Sequence, residues 1–357
     1  MRAASPNRRH DIDHLRVIAI GLLLIYHVAV AFQSWGVMVG FIAHVPPFEA
    51  IWPPMTLLNI WRIPLLFFVS GMGVCFAFGR RSPGELILER SRRILLPLLF
   101  GALCIVPLHM YLLQWYHQWP LSYSPGPAHL WFLGNIFVYT LCLLPLFVLL
   151  QRQLDRDWAR RLRTVLASPV GWVILVVAFC AEAWLLKPLP YELYAMTAHG
   201  FVLGMLAFLF GYLFVYCGEP FWQRIERWRW VFLLLASALF AHRSSQMLPV
   251  TPGYLLSIES NAWVLAVLAF GYRHLNRPSR ALTYLSQAAY PVYIVHMIFL
   301  YLTAAWLFPI DMNLTIKFVA VLSLTLGGCL LCYEFVIRRV SWLRPLFGLR
   351  CRGPKRQ

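Results

Sequence analysis

The chain has 357 residues, 60% of them hydrophobic and only 13% charged, with a mean hydropathy of +0.66. Soluble domains run at roughly 45–50% apolar and about 25% charged, so an ordinary soluble enzyme is excluded, as are disordered, fibrous and disulfide-framework proteins. A polytopic membrane protein remains. Its net charge of +17 would suggest a nucleic-acid partner in a soluble chain; here it is the Lys/Arg excess that cytoplasmic loops collect, and no nucleic-acid partner is expected.

Ten apolar runs of about helix length follow one another, at 14–33, 57–79, 94–113, 129–150, 170–186, 199–217, 229–243, 258–272, 288–307 and 315–337. Each approaches the ~20 residues that cross a bilayer, the seventh and eighth being shortest. With the N-terminus inside, 27 of the 31 Lys and Arg residues fall on the cytoplasmic side, among them Arg2, Arg8, Arg80 and Arg81. Only Arg62, Lys187, Arg243 and Lys317 fall outside. This alternation predicts an all-α polytopic membrane protein of about ten transmembrane helices with both termini cytoplasmic. Residues 1–340 form a single transmembrane domain and 341–357 a short basic cytoplasmic tail. The first run is read as a retained helix rather than a signal peptide, because it carries a histidine and nine further runs follow. The cysteines, including Cys329 and Cys332 in a CxxC, sit in apolar runs apart from Cys351, and are read as packing with no disulfide or metal.

Ionisable side chains within apolar spans are costly and mark function by default. In the first run, Arg16 and His27 lie eleven residues apart, about three turns, so they share one helix face with a separation of roughly 16 Å. A cation at the cytoplasmic end and an imidazole deep in the bilayer suit a long substrate, charged at one end and reactive at the other. Alone, Arg16 would be an interfacial anchor and His27 a satisfied core histidine. In the second run, Arg62 lies near the outer end and needs a partner or an anionic ligand, while Ser70 and Gly71 offer close helix approach. Arg90 and Arg93 form an R-x-x-R at the cytoplasmic mouth, where guanidiniums on one helix face bind phosphates well. His129 and Trp131 open the fourth run. Buried carboxylates are few, Glu182 in the fifth run and Glu259 at the outer start of the eighth; either could orient a histidine, and Glu182 could equally pair with a polar group of a neighbouring helix. Tyr290, Tyr293 and His296 fall in the ninth run. Trp, Pro and Tyr in the outer loops (Trp35, Trp52, Trp115, Trp119) fit an interfacial belt or, alternatively, a sugar-stacking surface. No Ser-His-Asp signature, P-loop or Rossmann glycine set is present, and no metal site is expected.

The R-x10-H of the first helix, the R-x-x-R before the third, FFVSG, HLWFL and PVYIVH, in this order, resemble the acyltransferase-three family of integral membrane acyltransferases. DIDHLRVIAIGLLLIYHV, WRIPLLFFVSG and LNRPSRALTYLSQAAYPVYIVH resemble most its glucan-modifying branch, the glucans biosynthesis protein C type. The likeness covers nearly the whole chain; His14 stands where that branch has tryptophan. It implies an O-acyltransferase of the bacterial inner membrane that moves an acyl group from cytoplasmic acyl-CoA (acetyl-CoA or succinyl-CoA, as donor substrate rather than bound cofactor) to a hydroxyl of an envelope glycan acceptor. The lipid bilayer and envelope glycan synthesis proteins would be its other partners. Arg16, Arg90 and Arg93 would bind the donor's phosphates. His27 would act as general base or transient acyl carrier, Arg62 or His129 would stabilise the oxyanion, and His296 completes the catalytic set. Alternatively, Arg62 would take the carboxylate of a succinyl donor. The alternative is a proton-coupled transporter or flippase with a His27, His296 and Glu182 relay, and beyond it a non-catalytic scaffold; the chain has neither internal repeats nor paired interrupted spans to favour a transporter.

Overall fold

The computed structural model describes residues 9–79, 81–245 and 251–350. Arg2, Arg8, Arg80 and Cys351 of the charge and cysteine readings, with the tail beyond 350, lie outside the described residues. Every regular element among the described residues is helical. In chain order they are α1 (His10–Ala31), α2 (Trp52–Asn59), α3 (Arg62–Phe78), α4 (Pro83–Tyr116), α5 (Ala128–Arg152), α6 (Asp157–Leu166), α7 (Pro169–Leu186), α8 (Ala198–Tyr216), α9 (Glu219–Arg227), α10 (Arg229–Ser245), α11 (Gly253–His274), α12 (Arg280–Leu307), α13 (Leu314–Ile337) and α14 (Leu343–Leu346).

Among the described residues, nine segments are long and apolar enough to cross a membrane, α2 and α3 together making one of them. The seventh apolar run forms α10, which at 17 residues falls just short of the usual length. The two chain ends decide its role: Arg9 and Arg344 line the same cavity, so the chain crosses an even number of times, and α10, packed along α11, supplies the remaining crossing. The eighth span is longer than its apolar run. It begins at Gly253, with Ser257 buried ahead of the run and Glu259, Ser260 and Asn261 buried at the run's start.

The core is built around α3, nearly every residue of which is buried. Gly71 and Gly211 make its contact with α8 possible. A Cβ on Gly71 would sit 1.9 Å from the carbonyl oxygen of Phe208, and one on Gly211 would sit 2.0 Å from that of Phe68. Small residues that let backbones touch are the usual basis of helix association in lipid. Gly71 therefore lies inside the span, packing it, rather than at its end.

Proline breaks the spans at defined places. Pro64 has no N–H for the carbonyl of Ile60, so the second span splits into α2 and α3. The freed oxygen instead accepts from Tyr194 (3.1 Å) and Ser260 (2.7 Å). In α4, Pro107 likewise frees the carbonyl of Leu103, which accepts from the Tyr123 hydroxyl at 2.9 Å. This span carries wide π turns at Ser91–Leu95 and Gly101–Ile105, a distortion found often at functional sites. Its start is held by a capping box, Ser82 accepting from the Glu85 N–H and the Glu85 carboxylate accepting in return.

Candidate active site

A cavity of about 910 Å³ opens on the arginine-rich side. Arg16 of α1, Arg81 before α4, and Arg90 and Arg93 within it line its mouth, joined by Arg9, Arg344 and Arg350 from the two ends of the described chain. Against these cations stand Asp13 and Glu89. Glu89 is shared by Arg81 (3.1 Å) and Arg93 (3.2 Å), while Arg16 lies 3.4 Å from Asp13. Arg90 donates to the carbonyl of Gly73 at 3.1 Å, and Arg16 reaches within 3.7 Å of where a Gly73 side chain would begin. The expected set of Arg16, Arg90 and Arg93 thus converges on one cavity, with more positive charge than its carboxylates offset. Such a mouth suits a polyanion, since guanidinium forks match phosphate geometry.

Inward, the lining turns apolar and aromatic, with Ile20, Leu66, Phe132 and Tyr290, and it ends at Tyr293. Tyr293 joins the cavity to the histidines beyond. Its hydroxyl donates to the carbonyl of His129, and its own carbonyl accepts from His296 Nδ1 at 2.6 Å. His296 Nε2 lies 2.8 Å from His27 Nδ1, the two rings nearly parallel at 5.0 Å.

These contacts assign the tautomers. A carbonyl only accepts, so His296 carries its proton on Nδ1 and presents a lone pair at Nε2. His27 must then donate from Nδ1, which leaves His27 Nε2 as a bare acceptor. A nitrogen base oriented by a hydrogen bond from its other ring nitrogen is the arrangement of a general base. Here the orienting group is another histidine.

His129 sits just before the helical part of α5 and donates from Nε2 to the Ile294 carbonyl (3.1 Å), its ring edge-on to His296 at 5.0 Å. Its Nδ1 is buried with no hydrogen-bond partner among the described residues. His109, on α4 beyond Pro107, extends the group: its ring lies 5.4 Å from that of His129 and 5.3 Å from that of Tyr301. The sequence reading passed over His109, although an imidazole inside an apolar span carries the same signal as His27.

Arg62 opens α3 directly after the Pro64 break. Its guanidinium stacks on the Tyr26 ring at 3.6 Å, and its Nε and Nη1 are buried with no partner among the described residues. Tyr26 precedes His27 on α1, and Arg62 interacts electrostatically with His27. A desolvated cation with unused donors beside a base is placed to meet developing negative charge.

Neither expected carboxylate reaches this group. Glu182 bonds His199 at 2.7 Å, and Glu259 takes a two-pronged bond from Arg243 at 2.9 and 3.0 Å. The notion that one of them orients His27 is corrected: His296 does so, because α1 and α12 pack side by side and bring the two rings together. Among the described residues, no three His, Cys, Asp or Glu side chains are placed to hold a metal ion together.

Of the other outer cations, Arg243 and Lys317 are held inside the fold, while Lys187 is exposed. Lys317 is buried and its Nζ donates to His44 Nε2 (2.9 Å) and to the Phe308 carbonyl (3.1 Å). His44 holds its proton on Nδ1 against the Pro46 carbonyl (2.7 Å). Burial, and then the Lys317 charge, push the His44 pKa down from its ordinary value, which keeps Nε2 free to accept. Cys329 and Cys332 are both free thiols, Cys329 fully buried in the core.

A family model described as an acyltransferase domain matches residues 9–334, nearly the whole chain. No curated protein and no solved structure matches it.

Proposed function

This chain belongs to the integral membrane acyltransferase family whose domain it spans, and from that membership we propose that it is an acyl-CoA-dependent O-acyltransferase. The donor is cytoplasmic acetyl-CoA or succinyl-CoA, the acceptor a hydroxyl of an envelope or periplasmic glycan, and the membrane the bacterial inner membrane. Its motifs lie nearest the glucans biosynthesis protein C branch. The observation that carries this reading is the single cavity joining an arginine mouth to Tyr293, immediately behind which His27 and His296 are paired. A donor with a phosphate-rich head and a narrow thioester arm fits that shape.

The chemistry follows from the tautomers. His27 Nε2 takes the proton of the acceptor hydroxyl as its oxygen attacks the thioester carbon. The new C–O bond forms, and the carbonyl electrons move onto oxygen. The Nδ1–H to His296 stabilises the imidazolium through a charge-assisted bond, and Arg62 or His129 faces the oxyanion. Collapse breaks the C–S bond, and the coenzyme A thiolate takes the proton from His27. Protons balance, with ester and free thiol as products. Family membership favours this reading over the transporter, in which Glu182 would serve the relay while bonded to His199.

The test offers labelled acetyl-CoA and succinyl-CoA separately to the reconstituted protein, with linear and cyclic β-glucans. Label on a glucan is expected from one donor. Donor binding without label on any glucan would remove the glucan acceptor, and neither binding nor label would remove the acyl-CoA reading.

A further inference from the structure

The chain after the last span folds back onto the arginine cavity. The turn α14 leads to Phe347, which is buried with its ring edge-on to Phe100 at 5.5 Å. Gly348 follows with φ +69°, a left-handed conformation that favours glycine. It is wedged so closely that a Cβ would lie 2.6 Å from the Tyr290 ring and 3.0 Å from the Arg93 carbonyl oxygen. Arg344 fastens the fold by donating to the carbonyls of Arg338 and Arg350, both at 2.9 Å. In consequence Arg344, Gly348, Leu349 and Arg350 all line the cavity, and Arg350 comes within electrostatic reach of Arg93.

Bringing Arg350 toward Arg93 is unfavourable in itself. The arrangement serves a purpose when a multiply charged anion lies between them. We propose that residues 343–350 complete the phosphate-binding part of the donor site, with Arg350 binding the donor's phosphates and Arg344 positioning it. This rests on the acyl-CoA reading above and adds to it a second, C-terminal set of cations facing Arg90 and Arg93. The segment is then part of the site and not an appendage to it.

Coenzyme A binding to the full-length protein in neutral phosphatidylcholine nanodiscs tests this, neutral lipid being chosen so that no anionic headgroup competes. Arg350→Gln should weaken coenzyme A by about ten-fold or more, as expected for a lost bond to a charged group. Gly348→Val should weaken it as well, by displacing the segment without removing a charge. Pantetheine, which lacks the phosphates, should bind wild type and both variants alike. Unchanged coenzyme A affinity in both variants would overturn the proposal, as would a loss confined to Gly348→Val, which would leave the segment a packing role only. If wild type and Arg90→Gln alike fail to bind coenzyme A, the donor reading of the cavity itself falls.

Discussion

At the scale of single residues, the site depends on which nitrogen of each imidazole carries a proton. His296 is fixed by the Tyr293 carbonyl, and His27 by His296. His296→Phe keeps a ring of similar bulk but removes the acceptor, so kcat should fall about a hundred-fold or more, the usual reach of a positioned general base, with coenzyme A affinity unchanged. His44 gives a prediction of opposite character, on stability. Its pKa is lower in the folded chain than the ordinary 6.5, so the unfolded chain takes up the proton more readily. The stability it contributes is whole above that value and is lost as pH falls below it. Thermal unfolding at descending pH should show this loss, and His44→Gln should remove that part of it. His27 and Arg16 were legible in the sequence because an ionisable group inside an apolar run is conspicuous, and Arg90 and Arg93 because of their R-x-x-R spacing just before the third run. The His27–His296 bond was not, since it joins residues 269 apart in sequence and only helix packing brings them together. His109, inside the third run, and His199, at the start of the sixth, carry the same signal as His27 but were not singled out, while His44 lies outside every apolar run and carries no such signal.

Among the elements, the helices were readable wherever hydrophobic run and span coincide, and less so where proline intervenes. The second run reads as one continuous helix. Pro64 divides it, and that division sets Arg62 at the start of α3 with its guanidinium over Tyr26. The eighth run reads short because polar residues at its start are satisfied only by tertiary partners, Glu259 by Arg243 and Ser260 by the Ile60 carbonyl. Close packing of α3 on α8 is the element-scale feature most open to test. Gly211→Ala places a methyl group against the Phe68 carbonyl, where overpacking costs about 1–3 kcal/mol. Gly21→Ala, with nothing within 4 Å of the new carbon, should leave thermal stability in detergent unchanged or slightly raised. Equal melting behaviour of the two variants would remove the close contact.

For the whole molecule, the ten crossings and the common side of the two chain ends serve a single purpose. They put Arg9, Arg90 and Arg344 around one mouth while α1 carries its face from Arg16 to His27 at depth. Of the four outer cations that depart from the charge rule, Arg62, Arg243 and Lys317 are enclosed by the fold and only Lys187 is exposed, so the charge asymmetry is sharper in three dimensions than in sequence. Cysteines placed at Lys187 and at Asp157 should label from opposite faces of sealed vesicles, and labelling from the same face would break the ten-crossing topology. In the proposed reaction His27 performs the chemistry just behind Tyr293, at the inner end of a cavity filled from the cytoplasmic side. The most direct measurement is single-turnover acyl transfer by wild type and His27→Ala, with coenzyme A binding followed in the same samples. Transfer is expected to be lost in His27→Ala while coenzyme A still binds with wild-type affinity. Transfer at the wild-type rate in a folded, coenzyme A-binding His27→Ala protein would contradict it.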